Sequence, residues 1–396
     1  MSSQLQTHKP VYLDHSATTP VRPEVLAAML PYFADKFGNA SSVHRYGYEA
    51  RMAVDLAREK IASLIGATPR EIIFTSGGTE ADNLAIRGIA RAMQDKGNHF
   101  ITSQIEHHAV LHTFELLERE GYKVTYVPCD KYGMIDPEDI RKSITGSTVL
   151  ISVMHGQNEV GTIEPISEIG KIAREHGILF HSDAVQSAGK IPIDVNDLGV
   201  DLLTLSSHKI YGPKGVGALF VRKGTRLTPQ ATGGAHERGL RAGTENVPGI
   251  VGFGEACHLA QTGLPQEAQR LSRLRDKLIQ GLLANIPEAV LNGHPSERLP
   301  HNVNISVKHV EGEAMLLNLD LLGVAASSGS ACTSGSLEPS HVLLAMGLPH
   351  ETAHGSLRMT LGRSTSEEDI DYVIQILPPI VERLRSMSVF GQGSSF

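Results

Sequence analysis

Between residues 70 and 222 the short runs EIIFT, HFITS, YKVTYV, TVLISV, ILFHS and VDLLTLS alternate with longer amphipathic stretches such as TEADNLAIRGIARAMQ. Runs this apolar read as strands buried on both faces, and the helical stretches between them are the crossovers that parallel strands require. The chain is therefore read as α/β, with a large domain whose mainly parallel sheet is covered by helices. Ligands of such sheets bind outside the carboxyl ends of the strands, so the polar residues just past each run are the first candidates for a site.

Near Thr262 the rhythm changes to a charged helical pattern, QEAQRLSRLRDKLIQGLLANI, followed by separated strands and helices. At 396 residues the chain is longer than one core ordinarily grows, roughly 250 to 300 residues. The expected division is a large domain over 15–262 and a smaller α+β domain formed by 1–14 and 263–396. Thr365 and Glu368 read as the capping box of the last helix, and Pro378 and Pro379 as residues that bend or break it.

The charge balance, 36 Lys plus Arg against 43 Asp plus Glu, leaves a net charge of -7 and no basic run that could follow a phosphate backbone, so nucleic acid is not an expected partner. No apolar stretch approaches the length of a membrane span or a signal core, and the expected location is the cytoplasm. Cys129, Cys257 and Cys332 lie far apart without a C-x-x-C pair, which excludes a disulfide framework and a zinc ribbon. Cys129 and Cys257 sit inside regular segments and read as core residues. Cys332 stands in SSGSACTSGS, 327–336, where small residues leave the backbone permissive.

Four places past the strands carry chemistry. Asp183, in LFHSDAVQ, ends a strand where an ionised carboxylate needs a cationic partner, and Gln186 follows on its face. Lys209 lies directly past LLTLSSH, behind Ser206, Ser207 and His208, placed to act as an amine nucleophile toward an aldehyde. In FTSGGTEADN the glycines 77 and 78 and then Thr79 open a helix whose free N–H groups make an anion site. His107, in IEHHAVLH, stands nearest a strand end and can stack on a flat ring or move protons; His108 and His112 are one helical turn apart but lack a third ligand, so no metal is expected. One cofactor answers all four: pyridoxal 5′-phosphate has an aldehyde for Lys209, a ring nitrogen for Asp183, a phosphate for Thr79, Ser206 and His208, and a face for His107.

The motifs YLDHSATTP, FGNASSVHRYG, TSGGTEADNLAI, HSDAVQSAGK, SSHKIYGPKGVGAL, ERGLRAGTENV and SSGSACTSGSLEPSHVL, in that order from about Val11 to Met387, resemble the cysteine desulfurases of the iron–sulfur assembly type. That family belongs to class V of the pyridoxal phosphate aminotransferases, of fold-type I. The resemblance implies Lys209 as the lysine that covalently holds the cofactor, Asp183 as partner of the ring nitrogen, Gln186 as donor to the ring oxygen and His107 as the stacked acid–base group. It implies that Gly78, Thr79, Ser206 and His208 hold the phosphate, with Thr244 reaching the phosphate of a second subunit in a homodimer. Asn158 and Arg358 would hold the substrate carboxylate, Arg358 in a two-pronged grip. Gln157 stands where the family often has Asn, and Asp82 where a second Asn is common.

The resemblance further implies that L-cysteine becomes L-alanine while Cys332 takes the sulfur as a persulfide, for delivery to an iron–sulfur scaffold or another acceptor. A thiol of ordinary pKa, about 8.5, is only slightly ionised at neutral pH, so a nearby proton acceptor should assist. The alternatives within the class are a selenocysteine lyase, which could dispense with the loop thiol, and a small-amino-acid aminotransferase. A non-catalytic assembly protein would have no use for Lys209 and Asp183.

Overall fold

The computed structural model describes residues 9–328 and 338–387, and Cys332 with the rest of 329–337 lies outside the described residues. In chain order the strands are β1 (Val11–Tyr12), β2 (Ile72–Thr75), β3 (His99–Ser103), β4 (Lys123–Val127), β5 (Thr148–Ser152), β6 (Leu179–Asp183), β7 (Leu202–Ser206), β8 (Gly217–Val221), β9 (Ala289–Leu291), β10 (Asn302–Val307), β11 (Val324–Ala325) and β12 (Ser356–Thr360). All six apolar runs are strands, and with β8 they form one sheet in the order β2-β8-β7-β6-β5-β3-β4.

Strands β3 to β7 pair in parallel, and β8 alone runs against its neighbours β2 and β7. The mainly parallel arrangement follows from helices that return the chain across both faces. One face packs Phe74, Ile101, Ile151, Phe180 and Leu205 against helices that include Arg45–Leu64; the other packs Ile73, Phe100, Leu150, Leu202 and Leu219 against Gly78–Ala92 and His108–Arg119. Successive residues of each strand point to opposite faces of the sheet, so the apolar ones are divided between two cores.

A second core gathers around the antiparallel sheet β12-β10-β9, where Val303, Ile305 and Leu357 meet Leu274 and Leu278, Leu319, and Val373 and Leu377. Val11 and Leu13 belong to it as well, drawn in by the parallel pairing of β1 with β11. Val342, Leu343, Met346 and Ala353 instead pack into the core of the large sheet.

The charged helix begins earlier than its pattern predicts. It runs unbroken over Val247–Asn285, with Pro265 inside it. Its first half buries Phe253, Ala256 and Cys257 in the large core and its second half buries Leu271, Leu274, Leu278 and Leu282 in the small one, so packing at both ends outweighs the bond that proline cannot make.

The last helix is not broken at its prolines, and its cap differs from the expected one. Helix Glu367–Met387 continues through Pro378 and Pro379, held by the buried side chains Leu377, Ile380 and Val381 on either side. Its reciprocal cap is Ser366 with Asp369: the Ser366 amide donates to the Asp369 carboxylate (2.9 Å) and the Asp369 amide to the Ser366 hydroxyl (3.2 Å). Thr365 is not available for that role, since its hydroxyl accepts from the Gly362 amide (2.9 Å).

Candidate active site

Parallel strands deliver their carboxyl ends to one edge of the sheet. There Asp183 closes β6, Ser206 closes β7, and a short turn after β7 carries His208 and Lys209. The Asp183 carboxylate is buried and accepts the Val185 amide at 2.8 Å. Burial pushes its pKa up to about 6, while that hydrogen bond and the charge of Lys209 pull the other way.

The Lys209 amine donates to the carbonyls of Ser16 and Ala17, at 2.9 Å for the latter. Thr19 and His208 lock the same segment in place, the Thr19 amide and hydroxyl both reaching the His208 carbonyl (3.0 and 2.8 Å), and the His208 ring meeting the Thr18 hydroxyl at 3.1 Å. The stretch HSATT thus forms a wall of the site. Its contribution through backbone carbonyls leaves no mark on residue type, which is why sequence reasoning found Lys209 and not Ser16 or Ala17.

Gln186 is buried against that wall: its amide nitrogen donates to the Ser16 carbonyl (3.0 Å) and its Oε1 has no partner. Opposite stands the start of helix Gly78–Ala92, whose N-cap, Gly77, provides no side-chain bond. A methyl group added at Gly77 would meet nothing within 4 Å, whereas one at Gly78 would come 3.6 Å from Cβ of Ser206 and 2.9 Å from Val185. Thr79 is exposed on the first turn. The helix start is thus open at Gly77 and lies beside Ser206 at the end of β7.

His107 caps helix His108–Arg119, its Nδ1 accepting the Ala109 amide at 3.1 Å. Burial first, then the charge of Lys209, lowers its pKa to about 4. The ring is neutral at physiological pH and, with Nδ1 engaged as acceptor, carries its proton on Nε2. The rings of His108 and His112 stack at 4.7 Å, and His341 lies 4.8 Å from His108. No cluster of three or more His, Cys, Asp or Glu suited to a metal occurs among the described residues.

Behind the strand ends lies a layer that the sequence did not disclose. Asp82, Glu106, His155 and His181 are all buried there; His181 joins the Ser152 hydroxyl (2.8 Å) to that of Thr204 (3.0 Å) and stands 3.6 Å from Asp82. Burial, reinforced by the Asp183 charge, raises Asp82 far above the usual carboxylate range, and burial raises Glu106 to about 8. IEHH, with an acid just before His107, was the available signal for Glu106.

Across from the large sheet, β12 presents Arg358, which is 3% exposed. Its guanidinium donates to the Asp14 carboxylate (3.0 Å) and the Asn158 carbonyl (3.1 Å), and its Nε has no partner. The Asn158 side chain is half-buried beside it. Thr244 stands apart, exposed in the stretch before helix Val247–Asn285. Cys257 is buried, and burial pushes the Cys129 thiol up to about 12, so neither offers a thiolate.

A sheet-edge lysine facing a buried carboxylate and an open helix start defines a pyridoxal-phosphate enzyme of fold-type I. The family model described as Aminotransferase class-V matches residues 11–373, and the chain belongs to that family. More narrowly, it is 57% identical over 381 residues to the cysteine desulfurase IscS of Methanosarcina thermophila, covering 96% of this chain and 94% of that one. Among solved structures it resembles a NifS-like protein (TM-score 0.89, 38% identity, 95% of this chain and 100% of that one) and a protein described as SspA in complex with cysteine (TM-score 0.80, 39% identity, 89% and 98%).

Pyridoxal phosphate is the cofactor of this class, and the residues present fit it. The partnerless Gln186 Oε1, the open N-terminal turn at Gly77 and Gly78 beside Ser206, and the acid of Asp183 within the field of Lys209 are the polar features that its ring and phosphate require.

Proposed function

We propose that the chain is a cysteine desulfurase that takes the sulfur of L-cysteine onto Cys332 and releases L-alanine. The observation that carries this reading is the placing of Lys209, just past β7, and of the buried Asp183 carboxylate, at the end of the neighbouring β6, so that the lysine's charge acts on the carboxylate. The bound cofactor supplies an electron-withdrawing ring that labilises bonds at the amino acid's α carbon.

Asp183 would hold the ring nitrogen and favour its protonated form. Gly78, Thr79, Ser206 and His208 would hold the phosphate, and Gln186, whose Oε1 has no partner, would fix the ring edge. Arg358 and Asn158 orient the substrate carboxylate; for that grip Arg358 has an unengaged Nε, and its bond to Asp14 is exchangeable for one to substrate. Lys209 would move the substrate's α proton, and the neutral His107 ring would offer a proton at Nε2. The Cys332 thiolate attacks the substrate sulfur: the S–S bond forms, the C–S bond breaks, and its electron pair stays on the carbon that becomes the methyl group of alanine.

The persulfide then passes to an iron–sulfur scaffold or another sulfur acceptor. A homodimer is part of the reading. Phe33, Phe37, Val43, Tyr46, Tyr48 and Met52 are all more than half exposed within one short stretch, more apolar surface than a lone subunit ordinarily leaves in water. Thr244 would serve the phosphate of the other subunit. No described helix is long and apolar enough to cross a membrane, and a cytoplasmic location accords with that.

The test is Cys332→Ala. The purified variant is expected to keep the cofactor's absorbance yet release no sulfide from cysteine. Sulfide release at the wild-type rate would remove Cys332 from the mechanism and favour a lyase that does not need the thiol.

A further inference from the structure

Past β6 the chain meets the turn that carries Lys209. Gly189 stands there in the left-handed region (φ +69°), and a methyl group on it would come 3.0 Å from Ala260 of helix Val247–Asn285 and 3.0 Å from Ile210. Glycine lets the three stretches approach that closely. The next residue, Lys190, lines a cavity of about 40 Å³ together with Lys209, and Ala256, Leu259 and Leu264 give that cavity an apolar wall.

The Lys190 amine is buried and has no hydrogen-bond partner. No counter-charge is at hand for it either. Glu267 is the acid that lines the cavity among the described residues, and its two oxygens are taken by Arg270 at 2.9 and 3.0 Å. Arg22 is paired with Glu24 (2.6 Å), and the Tyr211 hydroxyl, which accepts the Arg363 amide at 2.8 Å, is pushed by burial up to about 12 and stays neutral. His15, His208 and His301, whose rings feel the charge of Lys190, are themselves held neutral by burial. An ammonium at 190 would be an uncompensated buried charge, which is costly. Burial first, and then the charge of Lys209, lowers the Lys190 amine to about 7.

Lys209 is placed the other way. Its amine donates to the Ser16 and Ala17 carbonyls and stands in the field of Asp183, an arrangement that holds a proton. An amine attacks an aldehyde only through a free lone pair. We propose that Lys190 is a positioning residue that, across the shared cavity, takes up the proton Lys209 must release, so that Lys209 can join the cofactor at neutral pH. One N–H bond breaks at Lys209 and one forms at Lys190; the freed electron pair bonds to the aldehyde carbon, and the aldehyde oxygen leaves as water with the two hydrogens that remain on the amine. A cavity of this size has room for a water molecule to carry the proton. The inference rests on the reading of Lys209 as the residue that holds the cofactor.

The test compares wild type with Lys190→Met and Lys190→Gln, which have no basic group at that place. Pyridoxal phosphate is added to the cofactor-free proteins, and the rate at which the bound cofactor's absorbance develops is followed across pH. At neutral pH both variants should be about tenfold slower, one pH unit's worth of free amine, and the gap should close toward about pH 10, where Lys209 loses its proton to solvent. A second measurement needs no cofactor. An unfolded chain protonates this lysine below about 10.4 and the folded one only below about 7, so its penalty is full below the lower value and is relieved as pH rises to the higher. Lys190→Met should therefore melt a few degrees above the parent in mild acid, by an excess that shrinks as the pH becomes alkaline.

Equal rates in all three proteins, a slowing that is the same at every pH, or a melting difference that does not vary with pH would each overturn the inference. A wild type that develops no cofactor absorbance would instead remove the assignment of Lys209, and this inference with it.

Discussion

At the edge of the large sheet, Asp183, Ser206 and Lys209 are each presented by their own strand or the turn after it, whereas around Arg358 the polar groups of Asp14, Asn158 and Ser327 arrive from three distant stretches of chain. The first region is built locally: the sheet fixes the backbone and each side chain projects from it. The second is a junction in which every group is held by another. A substitution at the edge should therefore delete one chemical role, while one at the junction should disturb binding and orientation together.

Lys209→Ala is the severest test of the local region. It should abolish the covalent hold on the cofactor, seen as loss of its characteristic absorbance, and lower alanine formation by at least about 10³-fold, the scale of a lost proton-transfer group. Thermal stability should change little, because the amine lies at the wall of a cavity; a variant that unfolds would break the comparison.

Arg358→Lys probes the junction. A lysine is a point charge that cannot span carboxylate, carbonyl and substrate at once, so KM for cysteine should rise by about 10- to 100-fold, one charge-assisted hydrogen bond's worth, while the cofactor absorbance is kept. An unchanged KM would take Arg358 out of the substrate site.

Asp183 sharpens the contrast through pH. In the cofactor-free protein its folded-state pKa is about 6, whereas an unfolded chain releases that proton near 3.9. The folded state therefore binds more protons in that window, and the stability contributed by Asp183 falls as pH rises from about 4 to about 6, then levels off. The melting temperature of Asp183→Asn minus that of the parent should increase across that interval, by a few degrees at most for a chain this long. A flat difference would mean that the carboxylate is already neutralised by a partner.

The smallest effect is expected at Ser366→Ala, which removes one helix cap in the small core. A loss of about 1 kcal/mol, read as a modestly lower urea midpoint with unaltered cysteine turnover, would show that the small core tolerates local loosening.

How much of this could be read from residue order differs between the regions for the same reason. Strands buried on both faces are rich in apolar residues, so β2, β3, β5, β6 and β7, the partly exposed β4 beside them, and the acids and amines just beyond the runs stood out. β8 escaped because GALFV is short and bracketed by glycine and charge, and its antiparallel course depends on which neighbour it meets. Helix Val247–Asn285 was seen only in its charged half, because the glycines and alanines of its first half show no polar face. The Thr365 cap failed on a competing donor, the Gly362 amide, which no spacing rule contains. Ser16, Ala17 and Asp14 were invisible as site members because they act through a carbonyl or through a partner some 200 to 340 residues away.

The long helix has a mechanical corollary. Proline at 265 leaves the carbonyl of residue 261 without its helical donor, and Gly263 beside it has open space around it. A beam anchored at both ends and weakened at one cross-section flexes there, so any rocking of the small sheet toward the cofactor edge pivots about 261–265, some thirty ångströms of helix acting as the lever on its far side.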